Sequence, residues 1–144
     1  MASVYDIAKS FLLLDDKNDG EGITNLKLQK LVYYTQGFHL AIFDKPLFDE
    51  EIKAWKQGPV VLDLYQAYKK HAKDCLPLPD DFSLEQLSKD EFELVEEVYR
   101  VFGQYAAWKL REMTHEEPPW KNQEFDMGVI PKSELKDYFK TRLN

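Results

Sequence analysis

The sequence predicts a mainly α fold: a compact single-domain arrangement of about six helices with a small β-hairpin or three-stranded β element. Three observations predict it. Apolar residues recur at helical spacing through most of the chain. One short stretch, Ile52 to Trp55, alternates at strand period instead. The length of 144 residues, with 44% hydrophobic and 14% aromatic side chains, suits one packed core over residues 1–144.

The first helix follows from Val4, Ile7, Ala8, Phe11 and Leu14, which fall on one stripe. The run from Asp15 to Gly22 stops it, since Asp, Asn and Gly tolerate turn conformations. This run begins like a calcium loop, but Leu26 and Lys27 stand where the distal Glu belongs, so it reads as a solvated loop. Thr24 is a good N-cap for a second helix, and Ile23 can staple against Leu28. Leu28, Leu31, Val32, Thr35, Phe38, His39 and Ile42 give it the strongest amphipathic pattern in the chain, and make it the central helix. Gly37 within it costs about 1 kcal/mol relative to Ala, which a close helix crossing or a bound aromatic ring would explain. His39 reads as a hydrogen-bonded core or rim histidine.

Asp44-Lys45-Pro46 ends the second helix. Leu47-Phe48 and Ile52–Trp55 read as a small hairpin, with Asp49-Glu50-Glu51 as its turn. Gly58-Pro59 then forms a corner, with Pro59 suited to a first helical turn, and a helix carrying Val61, Leu64, Tyr65 and Tyr68 runs to about Lys70. Residues 72–87, with Pro77 and Pro79, form an irregular loop over the core. Ser88 to Glu91 is a capping box, opening a helix with Phe92, Val95, Val98, Tyr99 and Phe102 on its buried stripe. Gln104 to Met113 reads as a further helix, and Thr114 to Trp120 as a tight turn whose Thr114 and Glu117 have capping-box spacing. Ile130 is placed to add a short strand beside the hairpin. Leu135, Tyr138, Phe139 and Leu143 define the last helix.

Charge and composition exclude several functions. Against 26 acidic residues stand 19 basic ones, for a net charge of −7. Direct nucleic-acid binding is therefore not expected, because phosphate capture needs surplus Lys and Arg. A large α/β barrel is excluded by length. The single Cys75 allows no intrachain disulfide and no Cys cluster for a metal, which fits a cytoplasmic location. The N-terminus lacks the pattern of a signal peptide, and no apolar run approaches the roughly 20 residues of a membrane span.

The catalytic inventory is thin. His115-Glu116-Glu117 starts like a zinc-protease motif, but Pro119 occupies the second ligand position. Cys75 and His71 have no evident group to orient a base. The pairs Asp15-Asp16, Glu50-Glu51, Glu96-Glu97 and Glu116-Glu117 read as solvated surface, because adjacent acids on a helix point apart. No phosphate-cradling glycine loop occurs, and no cofactor is expected. Two motifs remain, Ala54 to Val60 and Thr114 to Trp120. On physical grounds they read as architecture, and otherwise as a groove walled by Trp55, His115 and Trp120.

At these residues the chain resembles the Panacea domain family of GepA-like phage-associated proteins and SocA-like antitoxins. The matching segments are Leu26 to Tyr34, Gln36 to Leu40, Ala54 to Val60 and Thr114 to Trp120. The residues that stand out are Gln29, Tyr33, Tyr34, Trp55, Gly58, Pro59, Thr114, His115, Glu117 and Trp120, as structural or partner-binding positions. The resemblance implies a mainly helical domain, a bacterial or prophage setting, no enzymatic activity, and neutralisation of a toxin encoded beside it. A proteolytic adaptor or regulatory binding protein is the alternative, and a hydrolase using His115 and Glu117 a third. The toxin-facing surfaces suggested are the hairpin edge from Phe48 to Trp55, the exposed side of the Tyr33-Tyr34 helix, and the loop from Lys73 to Leu87.

Overall fold

A computed structural model describes residues 1–143. Among the described residues, seven α-helices surround and connect a two-stranded antiparallel sheet. In chain order they are α1 (Val4–Lys17), α2 (Asn25–Phe43), β1 (Ile52–Trp55), β2 (Gly58–Val61), α3 (Leu62–Tyr68), α4 (Lys89–Phe102), α5 (Ala107–His115), α6 (Pro118–Lys121) and α7 (Lys132–Lys140).

Helix α2 is the axis, with α1, α3, α4, α5, α7 and β2 all packing against it. Thr24 Oγ1 accepts from the Lys27 N–H at 3.2 Å and starts it, and Asp44 closes it at a φ of 62°. The expected amphipathic stripe is corrected here. From Leu28 to Gly37 every residue of α2 is buried, polar ones included, because neighbours cover the helix on all sides. Gly37 is the close crossing that its sequence position suggested, since a Cβ there would overlap the Phe139 ring of α7.

The hairpin is also corrected. Strand β1 pairs with Gly58–Val61, through a two-residue turn at Lys56-Gln57, and not with Leu47-Phe48. Gly58 turns the chain at a φ of 109°. Pro59 lies in β2 opposite Ala54, so it opens no helix. Its missing N–H is harmless because this pair exchanges no ladder bonds: the Ala54 N–H donates outward, to the Gly128 carbonyl at 2.9 Å. Ile130 N–H donates to the Ile52 carbonyl at 2.8 Å, and Lys53 bridges Val129. The third strand is thus reduced to one bridge. Leu47 and Phe48 are held by Gln36 instead. Its Oε1 accepts from the Leu47 N–H at 2.7 Å, and its Nε2 donates to the Phe48 carbonyl at 2.8 Å.

Helix α4 opens on the expected capping box of Ser88 and Glu91. The irregular segment before it is anchored where Leu76 N–H meets the Ile23 carbonyl. The Asp15 to Gly22 loop is less solvated than expected. Asp15 is buried and accepts from the Tyr99 hydroxyl at 2.7 Å and the Gly22 N–H at 2.9 Å. Among the described residues no helix is long and apolar enough to cross a membrane.

Candidate functional site

The outer edge of β2 is closed by side chains of α2. Gln29 Oε1 accepts from the Val61 N–H at 2.9 Å, while its Nε2 donates to Asn25 Oδ1. Lys30 Nζ donates to the Pro59 carbonyl at 3.2 Å. Gln29 and Lys30 therefore supply what a third strand would, and no β2 edge is left to pair elsewhere. Gly58 leaves room for this lysine, since a Cβ there would press on Lys30 Cε and Thr114 Oγ1. Lys30 is 0% exposed and makes no ion pair among the described residues. Burial, aided by repulsion from Arg111, lowers its pKa from 10.5 to about 7.

A second buried centre lies on the same helix. Tyr33 and Tyr34 hydroxyls each donate to one oxygen of Glu117, both at 2.8 Å, and Arg142 Nη1 reaches Glu117 Oε2 at 3.3 Å. Burial pushes the Glu117 carboxyl above its ordinary value, against the stabilising pull of the two hydroxyls and the guanidinium. Burial and the neighbouring Glu117 raise both tyrosines, so they stay protonated donors. The rings of Tyr34 and Phe102 stack at 4.0 Å, which fixes the donor geometry. The expected capping box at Thr114 and Glu117 does not form. Thr114 Oγ1 donates to the Arg111 carbonyl inside α5, and the Glu117 side chain turns into the core.

The third group faces outward. His115 lies flat on Trp120, with centroids 3.9 Å apart and planes within 10°. Trp120 Nε1 donates to the Trp55 carbonyl at 2.7 Å, tying α6 to the hairpin. His115 and Trp120 wall a pocket of about 370 Å³ with Arg111, Lys56 and the loop after α6. Trp55 does not line it, because its ring packs on Tyr65. Burial and the Arg111 guanidinium hold His115 below its ordinary pKa.

The structure thus places Gln29, Gly58, Pro59 and Trp55 in one architectural corner, Tyr33, Tyr34 and Glu117 in a buried cluster, and His115 with Trp120 at a pocket. His115 and Glu117 share no hydrogen bond, and both Glu117 oxygens are already engaged. Two suggested docking faces are corrected: Tyr33 and Tyr34 are 0% exposed, and Phe48, Ile52 and Ala54 are buried, with the β1 edge covered by residues 128–130. The sequence reading missed Lys30, Arg111 and Arg142. A signal existed for Lys30: it stands in a helix whose apolar residues already point in every direction.

Residues 28–121 match the family described as antitoxin SocA-like, Panacea domain. The chain belongs to this family. The matched span runs from α2 through α6, so it holds all ten motif residues, while Phe139 and Arg142 lie beyond it. Antitoxin SocA of Caulobacter vibrioides (strain NA1000 / CB15N) is 29% identical over 109 residues, covering 68% of this Panacea-domain chain and 58% of that protein. The chain therefore spans less than two thirds of the length of that relative. No solved structure matches it.

Proposed function

We propose that this chain is an antitoxin that neutralises a toxin encoded by an adjacent gene, in a phage or prophage setting, through direct protein–protein contact and without enzymatic chemistry. Membership of the SocA-like Panacea family carries the reading. The geometry supports it: Glu117, the acid of the hydrolase alternative, is already bonded to two tyrosines and Arg142 and shares no hydrogen bond with His115. What remains for function is surface. A net charge of −7 favours a basic partner, such as a toxin acting on nucleic acid or ribosomes, by steering and complementarity.

Co-expression of the chain with the adjacent gene product tests this. The expected result is that the product alone stops growth, that the chain restores it, and that the two co-purify. A product that is harmless alone, with no complex, contradicts the proposal. Rescue that requires a cellular protease, with the partner's half-life shortened, replaces neutralisation by contact with an adaptor role.

A further inference from the structure

Four side chains from three helices hold the hairpin by its backbone. Trp120 Nε1 donates to the Trp55 carbonyl at 2.7 Å, and His115 meets the backbone of Lys56. Lys30 Nζ donates to the Pro59 carbonyl at 3.2 Å, and Gln29 Oε1 accepts from the Val61 N–H at 2.9 Å. Two of the four, Lys30 and His115, can take up a proton, and neither has a place for it. Lys30 is fully buried, and Pro59 is the one hydrogen-bond partner of its Nζ, whereas a protonated amine carries three donors. His115 Nε2 is shielded from solvent and has no hydrogen-bond partner, so a proton there becomes a buried donor without an acceptor.

The charges around the pair oppose protonation as well. Arg111 of α5 repels both groups, and Lys30 repels His115. Lys56 of the hairpin turn lines the same pocket as Arg111 and His115. Glu124, after α6, pulls His115 the other way, more weakly than Arg111 pushes. Glu112 and Glu116 of α5 are exposed, and Glu117 is bonded to Tyr33 and Tyr34. Lys30 has no ion-pair partner among the described residues.

We propose that these side chains form a pH-sensitive clasp: a proton taken up at Lys30 or His115 withdraws that side chain, and the hairpin tip from Trp55 to Val61 swings away from α2 and α5. The exposed turn at Lys56-Gln57 and the left-handed Gly58, at a φ of 109°, are where the tip can move. Opening bares the β2 edge that Gln29 and Lys30 otherwise close, so acidification exposes a strand edge. The device belongs to the fold and does not depend on the antitoxin reading.

Amide hydrogen exchange between about pH 5 and pH 9, corrected for the intrinsic rate at each pH, tests the clasp. The Val61 N–H reports the tip, and the Val95 N–H, on the buried face of α4, reports global unfolding. Global unfolding also frees Lys30, so the two amides share a slope with pH and differ in level, with Val61 opening the more often. Lys30 titrates at 10.5 when released and at about 7 when clasped, so the Val61 opening constant should rise about fiftyfold from pH 9 to pH 7 and then level off. His115, held below its ordinary value of 6.5, should add a second rise at lower pH. Lys30→Met is expected to abolish the first rise and His115→Phe the second. Carbon-13 NMR titration of Lys30 Cε in the unaltered chain needs neither variant: a midpoint near 7 supports the clasp, and one near 10.5 overturns it. Equal opening constants for Val61 and Val95 at every pH, or a Val61 constant that ignores pH, also overturn it.

Discussion

Replacing Lys30 with methionine isolates the cost of burying an amine beside the hairpin. Lys30 is fully buried, its one hydrogen bond goes to the Pro59 carbonyl at 3.2 Å, and its pKa falls from 10.5 to about 7. Between those two values the unfolded chain holds the proton and the folded chain has released it. The unfolded state therefore binds more protons, and folding stability must rise with pH across this window. Integrated from pH 7 to pH 9, the gain is about 2 kcal/mol. Lys30→Met keeps the volume and removes the proton, at the cost of a donor to Pro59 worth about 1 kcal/mol. Urea unfolding of both proteins at pH 7 and pH 9 measures the difference, and other titrating groups cancel because both chains carry them. The wild-type chain should gain about 2 kcal/mol more than the variant over this range. Parallel pH dependences would refute the reasoning, because Lys30 would then keep its proton in the folded state.

Three further perturbations probe the packing. Glu117→Gln should cost about 2–3 kcal/mol in denaturant unfolding, since two tyrosine hydroxyls lose a charged acceptor and Arg142 loses its carboxylate; an unchanged midpoint would mean that the cluster is not coupled to stability. Gly37→Ala should lower the melting temperature despite its better helix propensity, because the new methyl displaces Phe139, at a cost of about 1–3 kcal/mol. Adding Phe139→Leu to that variant should recover part of the loss, and a purely additive double variant would count against the clash. Trp120→Phe should destabilise by about 1 kcal/mol through the lost bond to the Trp55 carbonyl, read by thermal unfolding.

What the sequence makes legible here is local. The Ser88 capping box, the Thr24 cap, the His39 bond to the Lys45 carbonyl and the role of α2 as the centre all depend on neighbours a few residues away or on apolar periodicity. The errors came from partners far along the chain. Tyr33 and Glu117 are 84 residues apart, as are Asp15 and Tyr99, so two acids that look like surface pairs are drawn inside by hydroxyls no local pattern announces. Pro59 misled for a related reason. A helix-opening proline and a strand proline at a non-bonded pair look alike until the ladder register is known. Arg142 joins Glu117 from beyond the last helix, 25 residues along the chain, where no local pattern pairs the two.

The family membership and the engaged acids support the proposal that this molecule works by binding. The most direct test is a calorimetric titration of the purified chain against the purified product of the adjacent gene, paired with that product's toxic activity in the same buffer. Stoichiometric, saturable binding is expected, with loss of toxicity in step with occupancy. Absence of heat and undiminished toxicity at saturating chain would contradict it.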